Sequence, residues 1–128
     1  MSDRFPLDAG SIRLVAIISG PLREMSSRMV LDTGASRTVL TWEIAQACGY
    51  DPAGAENRTD ITTASGFETC PEIVLSDFRF LGRTLQDFPV LCHPLPAELR
   101  IDGLVGLDFF RATRLTLDFR IGEVTLEA

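Results

Sequence analysis

The 128-residue chain contains no lysine; its twelve strong bases are all arginine, and His93 is its single histidine. Without a lysine amine there is no Schiff-base chemistry and no P-loop contact to a phosphate. A metal-dependent hydrolase would need more histidines than one, and no metal site is expected. Catalysis by a Ser-His or Cys-His pair would have to run through His93, and no serine or cysteine near it sits in a nucleophile-elbow pattern. His93 precedes Pro94 and reads as a loop residue. Basic charge is scarce as well. The formal net charge is −6, which argues against nucleic acid as a partner, because phosphate binding needs a basic surface.

Long hydrophobic runs are also missing. The best, Leu14 to Ile18, is far too short to span a bilayer, so no membrane segment is expected. The stretch Met1 to Pro6 has no apolar run behind a basic cluster and does not read as a signal peptide. Cys48, Cys70 and Cys92 are odd in number and lack close metal-ligand spacing. They read as small buried hydrophobes in a reducing compartment, which makes a cytoplasmic location the expectation. Hydrophobic residues make up 45% of the chain, enough for one folded domain with a real core. No internal repeat and no low-complexity stretch is present.

The most informative stretch is Met29-Val30-Leu31-Asp32-Thr33-Gly34-Ala35-Ser36, an apolar strand running into Asp-Thr-Gly and two small residues. Such a turn lets backbone N–H groups orient a carboxylate toward a cleft. Gly34 lets the chain turn sharply beside that carboxylate, and Thr33 adds a hydroxyl that both donates and accepts. The triplet alone is weak, since ordinary residue usage yields it by chance in a few per cent of chains of this length. A strand ending in a polar turn would explain it equally well. The second half of the chain tips the balance. Ile101-Asp102-Gly103-Leu104-Val105-Gly106-Leu107-Asp108-Phe109-Phe110 reads as a turn, a short apolar strand, a glycine and a helix start.

On these two segments the chain resembles the retropepsin-like aspartic peptidases, the single-domain relatives of the retroviral enzymes. Members pair the Asp-Thr-Gly-Ala turn with a downstream hydrophobic-hydrophobic-Gly segment, here Leu104-Val105-Gly106, followed by a helix, here about Leu107 to Thr113. The resemblance spans about Ser11 to Leu126. It implies a peptidase domain over residues 11–128 behind an N-terminal segment 1–10. The fold it implies is mostly β: a small closed acid-protease domain with one or two short helices, forming half of a twofold dimer.

Local signals place the elements. Strands are expected at Ser11 to Ile18, Ser27 to Leu31 and Val39-Leu40, then a helix from Trp42 to Cys48, capped by Thr41 and ended by Gly49. Arg58 to Thr69 reads as a hairpin turning at Ala64-Ser65-Gly66, polar and small at its tip, as a flap over a cleft requires. Separate strands are expected at Ile73 to Leu75, Phe78 to Leu81 and Phe88 to Cys92, with turns at Ser76-Asp77 and Gly82-Arg83. A closing hairpin joins Arg114 to Asp118 with Glu123 to Leu126.

The resemblance also implies roles. Asp32, Thr33 and Gly34 form the catalytic turn, with Asp32 as base in one subunit and acid in the other. Ala35, Ile61, Ser65, Gly66, Phe67, Leu104 and Val105 would line substrate pockets for an extended peptide or protein substrate with apolar residues beside the cut bond. No cofactor is required. One chain carries one Asp-Thr-Gly; Asp102 reads as a turn residue and Asp108 as a first-turn helix acid. A homodimer partner would therefore supply the second carboxylate. Retroviral members often follow the turn with acids that pair with an arginine after the Gly segment. Here Ser36-Arg37 and Leu107-Asp108 stand in those places, which leaves two readings equally open, an Arg37–Asp108 contact of reversed polarity and a solvated pair. A non-cleaving peptide-binding or dimerisation module on the same fold is the competing reading. It has no need for a charged dyad, whose repulsion costs several kcal/mol unless it is used or neutralised.

Overall fold

Alternating burial organises the chain, here described by a computed structural model for residues 1–63 and 65–128. In β2 (Arg13–Ser19) Leu14, Ala16 and Ile18 point inward; in β3 (Glu24–Leu31) Ser27, Met29 and Leu31 do so. The two strands pair antiparallel from Arg13↔Val30 to Ser19↔Glu24, so β3 is fixed along its whole length before it delivers Asp32. Short strands follow: β4 (Val39–Leu40) and β8 (Gly103–Val105), with β8 lying parallel to β3 and antiparallel to β4. Between them in sequence come α1 (Trp42–Ala47), β5 (Asn57–Thr63), β6 (Gly66–Phe80) and β7 (Arg83–Cys92). The Thr41 side chain accepts the Ile44 N–H, so the expected cap is present, and Cys48 ends the helix.

The seven strands run β2-β3-β8-β4-β7-β6-β5, and a further β2–β6 pairing from Ala16↔Phe80 to Ser19↔Asp77 closes them into a barrel. Closure removes the open edges that a sheet this small would otherwise expose. A separate three-stranded sheet joins β1 (Ser2–Arg4), β10 (Glu123–Glu127) and β9 (Arg114–Asp118), with β10 in the middle. Residues of the N-terminal segment thus pair with the C-terminal strand, and Phe5 is buried in the core beside it.

Two expectations need correction. The strands expected at Ile73 to Leu75 and Phe78 to Leu81 are parts of one 15-residue strand, β6, and Ser76-Asp77 is no turn. What the sequence marked there is a change of face. Ile73 and Leu75 point inward on one side of it, Phe78 and Phe80 on the other, three positions on rather than two. The ladder skips Ser76 opposite Asp87, which sits at φ 51°, and the Ser76 N–H is taken by the Tyr50 hydroxyl at 2.8 Å. The real turn is at Leu81-Gly82, both at positive φ, a type I′ hairpin between Phe80 and Arg83. The second helix is also shorter than expected. α2 spans Leu107–Phe110, since Arg111 leaves helical geometry and Ala112 turns to φ 63°. Thr113 then closes the end by donating its N–H and its hydroxyl to the Phe110 carbonyl. The expected hairpin tip falls partly on Ala64, outside the described residues.

The core is aromatic at its centre. Phe109 is fully buried and packs edge-on against Phe78, Phe80, Phe88 and Phe110, with centroids 5.3–6.2 Å apart. All three cysteines are free and buried, in line with their reading as small hydrophobes. No helix among the described residues is long and apolar enough to cross a membrane.

Phe109 fastens α2, and with it the segment behind Asp32, to the barrel. Phe109→Ala is expected to cost about 3–5 kcal/mol, read by urea unfolding at fixed protein concentration. A loss below about 1 kcal/mol would show that the ring cluster does not hold α2 in place.

Candidate active site

Asp32 follows directly from β3, and its N–H donates to the Val105 carbonyl at 2.9 Å, so the turn starts from a position pinned by β8. Its carboxylate accepts the Gly34 N–H at 3.0 Å, and its carbonyl accepts the Ala35 N–H at 3.2 Å. A Cβ on Gly34 would come within 3.2 Å of Asp32 Oδ1, tighter than comfortable contact, which is why the turn takes glycine there. Asp32 is half-buried, while Thr33 and Gly34 face outward. The carboxylate is therefore oriented by backbone, and the edge of the turn stands open.

A second layer holds the turn from behind. Ala35 accepts the Leu107 N–H at 2.8 Å. Thr38 is fully buried; its N–H and hydroxyl donate to the two oxygens of Asp108 at 3.0 and 2.7 Å, while its hydroxyl accepts the Gly106 N–H at 3.2 Å. Gly106 has backbone on one side and the 35–37 loop on the other, and a Cβ there would lie 2.7 Å from the Ala35 and Arg37 carbonyl oxygens. Of the two readings left open for Arg37 and Asp108, contact or solvation, the structure has the contact, with Nε 3.6 Å from Oδ2. Arg37 also donates to Glu72 on β6 at 2.8 Å, which the sequence did not signal. The guanidinium therefore bridges the helix behind the catalytic turn and the base of the hairpin.

Asp102 and Asp108, which the sequence set aside as a turn residue and a first-turn helix acid, are engaged elsewhere. Asp102 accepts the Arg28 N–H at 2.7 Å, so it is a turn residue as read, and Asp108 is committed to Thr38 and Arg37.

Beside the turn lies a cleft of about 540 Å³. It is lined by Gly34 to Arg37, by the apolar Val39, Leu91, Leu95 and Leu104, by Thr59 to Thr62 of β5, and by His93. Of the residues expected to line pockets, Ala35, Ile61 and Leu104 do so. Val105 is fully buried and acts from underneath, through its carbonyl. Ser65, Gly66 and Phe67 stand at the exposed end of the hairpin, with Phe67 83% exposed, and do not border this cleft. Leu91, Leu95 and His93 were not foreseen as cleft residues. Leu91 read as an ordinary core strand residue. The other two lie in a proline-bounded connector, whose position only the closed barrel defines.

The sequence profile described as aspartyl protease matches residues 17–109, most of the chain and all of the site just described. A solved retropepsin-like aspartic protease from Rickettsia conorii superposes with a TM-score of 0.74 at 19% identity, covering 99% of this chain and 91% of that one. The EIAV protease, solved with an inhibitor, superposes with a TM-score of 0.62 at 18% identity, covering 85% of this chain and 92% of its own. No curated protein matches by sequence. The profile spans most of the chain, which belongs to the aspartyl protease family and has the fold of the retropepsin-like proteases.

Proposed function

We propose that the protein is an aspartic endopeptidase whose active site is completed by a second copy of the same chain. The observation that carries this reading is the Asp32 turn: an oriented carboxylate at the end of a pinned strand, with Thr33 and Gly34 exposed beside a peptide-sized cleft. Amide hydrolysis needs a base for the water and an acid for the carbonyl oxygen. One carboxylate per chain offers only one of these at a time. A twofold partner brings a second Asp32, and two carboxylates about 3 Å apart share one proton, the established pattern of aspartic proteases.

In that dimer the ionised Asp32 takes a proton from water as its oxygen bonds to the amide carbon. The protonated Asp32 gives its proton to the carbonyl oxygen. The tetrahedral diol then collapses: the C–N bond breaks, the carboxyl that took the water proton gives it to the leaving nitrogen, and the other takes the proton of one diol hydroxyl, which leaves an amine, a carboxylic acid and a singly protonated dyad. Thr33, exposed in one chain, would hydrogen-bond across the twofold axis. Ala35, Ile61 and Leu104 would seat an apolar side chain of the substrate. Ser65, Gly66 and Phe67, outside the cleft of one chain, would meet substrate or the partner's hairpin once two copies combine.

Asp32→Asn is expected to lower peptide hydrolysis by about 10²-fold or more while leaving the circular dichroism spectrum unchanged. Turnover within about tenfold of wild type would remove Asp32 from the mechanism. Specific activity should fall on dilution, in step with dissociation seen by sedimentation. A monomer that keeps full activity would refute the half-site reading. The rate should follow a bell in pH, because only the singly protonated dyad works, and its limbs belong to the pair rather than to one aspartate. A rate that climbs steadily toward alkaline pH and ignores a statine-type transition-state mimic would point to a different catalyst.

A further inference from the structure

Both ring nitrogens of His93 face oxygen atoms. Nδ1 lies 2.8 Å from the Pro94 carbonyl oxygen, and Nε2 meets Oε2 of Glu68 on β6. A carbonyl oxygen only accepts, and an ionised carboxylate only accepts. Neutral imidazole carries one N–H and can serve one of these partners, turning a lone pair toward the other. Imidazolium carries two and serves both. The contacts around His93 are thus complete only when the His93–Glu68 pair holds an extra proton.

The two ends of this contact belong to different parts of the molecule. His93 is fixed to the barrel, its N–H donating to the Leu40 carbonyl at 3.0 Å, directly after the buried Leu91 and Cys92. Glu68 lies on the hairpin, opposite Ile61 in the β5–β6 ladder, and Ile61 borders the cleft. Beyond Glu72 toward the tip, β6 has no described ladder with β7 and is paired with β5. The hairpin is therefore an arm hinged on the barrel, and the His93–Glu68 contact crosses from arm to barrel.

We propose that His93 is a positioning residue for the flap: its imidazolium latches Glu68 to the cleft rim and holds the β5 arm over Gly34 and Ala35, and loss of the proton releases it. Other charged and titratable groups around the ring do not take over this role. Asp60 on β5 accepts the Thr69 hydroxyl at 2.6 Å, and Arg37, below, is engaged by Glu72 and Asp108. Arg58 on β5 keeps its charge throughout, and it borders the hollow behind His93. The thiols there stay neutral: burial pushes Cys92 up to about 12, with Cys70 adding to the shift, and burial followed by the Glu68 charge raises Cys70. The sign follows from the proton count. The latch is present while the His93–Glu68 pair holds the extra proton and is lost as pH rises and that proton leaves. A partly exposed ion pair shifts an opening equilibrium by about two- to fivefold. The consequence for catalysis rests on the peptidase reading; the latch itself does not.

The test uses the Asp32→Asn chain at constant protein concentration, so that the absence of peptidase activity in wild type would leave the outcome untouched. The single histidine gives one imidazole signal by NMR, and amide exchange over residues 57–70, corrected for intrinsic pH dependence, reports opening of the arm. Exchange is expected to speed by about two- to fivefold with the same midpoint as the His93 signal. Glu68→Gln should abolish the step. His93→Gln, whose amide can donate to Glu68 at any pH, should keep the slow exchange with no step. Flat exchange across the His93 titration, or an equal step in Glu68→Gln, would overturn the proposal.

Discussion

The carboxylate of Asp108 decides the shape of the region on which everything else depends. It takes both the N–H and the hydroxyl of the buried Thr38 and sits against Arg37, so one side chain of a four-residue helix holds the far end of the catalytic loop. Hydrogen bonds to a charged group contribute about 1.5–3 kcal/mol each, and leaving a buried partner unmade costs a similar amount. With Thr38 so fixed, its hydroxyl can accept from Gly106, and the strand β8 stays in register beside β3. Asp32 then emerges at one defined place, pinned by Val105. The closed barrel and the ring cluster around Phe109 stiffen this base, and the residues that face outward, Thr33 and Gly34, inherit their precision from it.

Arg37 extends the same network to the hairpin. Through Glu72 it ties the root of the hairpin to the helix behind the Asp32 turn. The arm itself is polar and thinly packed. Its composition lets it leave the cleft without exposing a large apolar face, and small electrostatic contacts such as His93–Glu68 are then enough to bias its position. A stiff base that carries the carboxylate and a light cover that admits substrate suit a peptide-cleaving site.

Much of this was legible in the sequence, and the parts that were not have physical reasons. The Asp32 turn, the Leu104-Val105-Gly106 strand and the Thr41 cap are local signals, set by residues that touch within a few positions. The Arg37–Asp108 pair was legible only as one of two possibilities, because charges of opposite sign stood in those places and nothing local told contact from solvation. The break expected at Ser76 was a change of face rather than a turn. Strand continuity there rests on Asp87 and Tyr50, far away in sequence, and no local pattern reports them. Glu72, Glu68 and His93 were missed for the same reason: each acquires its meaning from a partner more than twenty residues distant. Pocket residues divided similarly. Ile61 and Leu104 line the cleft, whereas Val105 alternates inward and serves through its backbone.

Whether two Asp32 carboxylates meet in one site is tested most directly by mixing of subunits. Wild-type chain is exchanged with increasing Asp32→Asn chain at constant total concentration, and peptide hydrolysis is measured once exchange is complete. If each site needs both carboxylates, only wild-type pairs turn over, and activity should fall as the square of the wild-type fraction. A fall linear in that fraction would mean that each chain cleaves on its own, which contradicts the shared site.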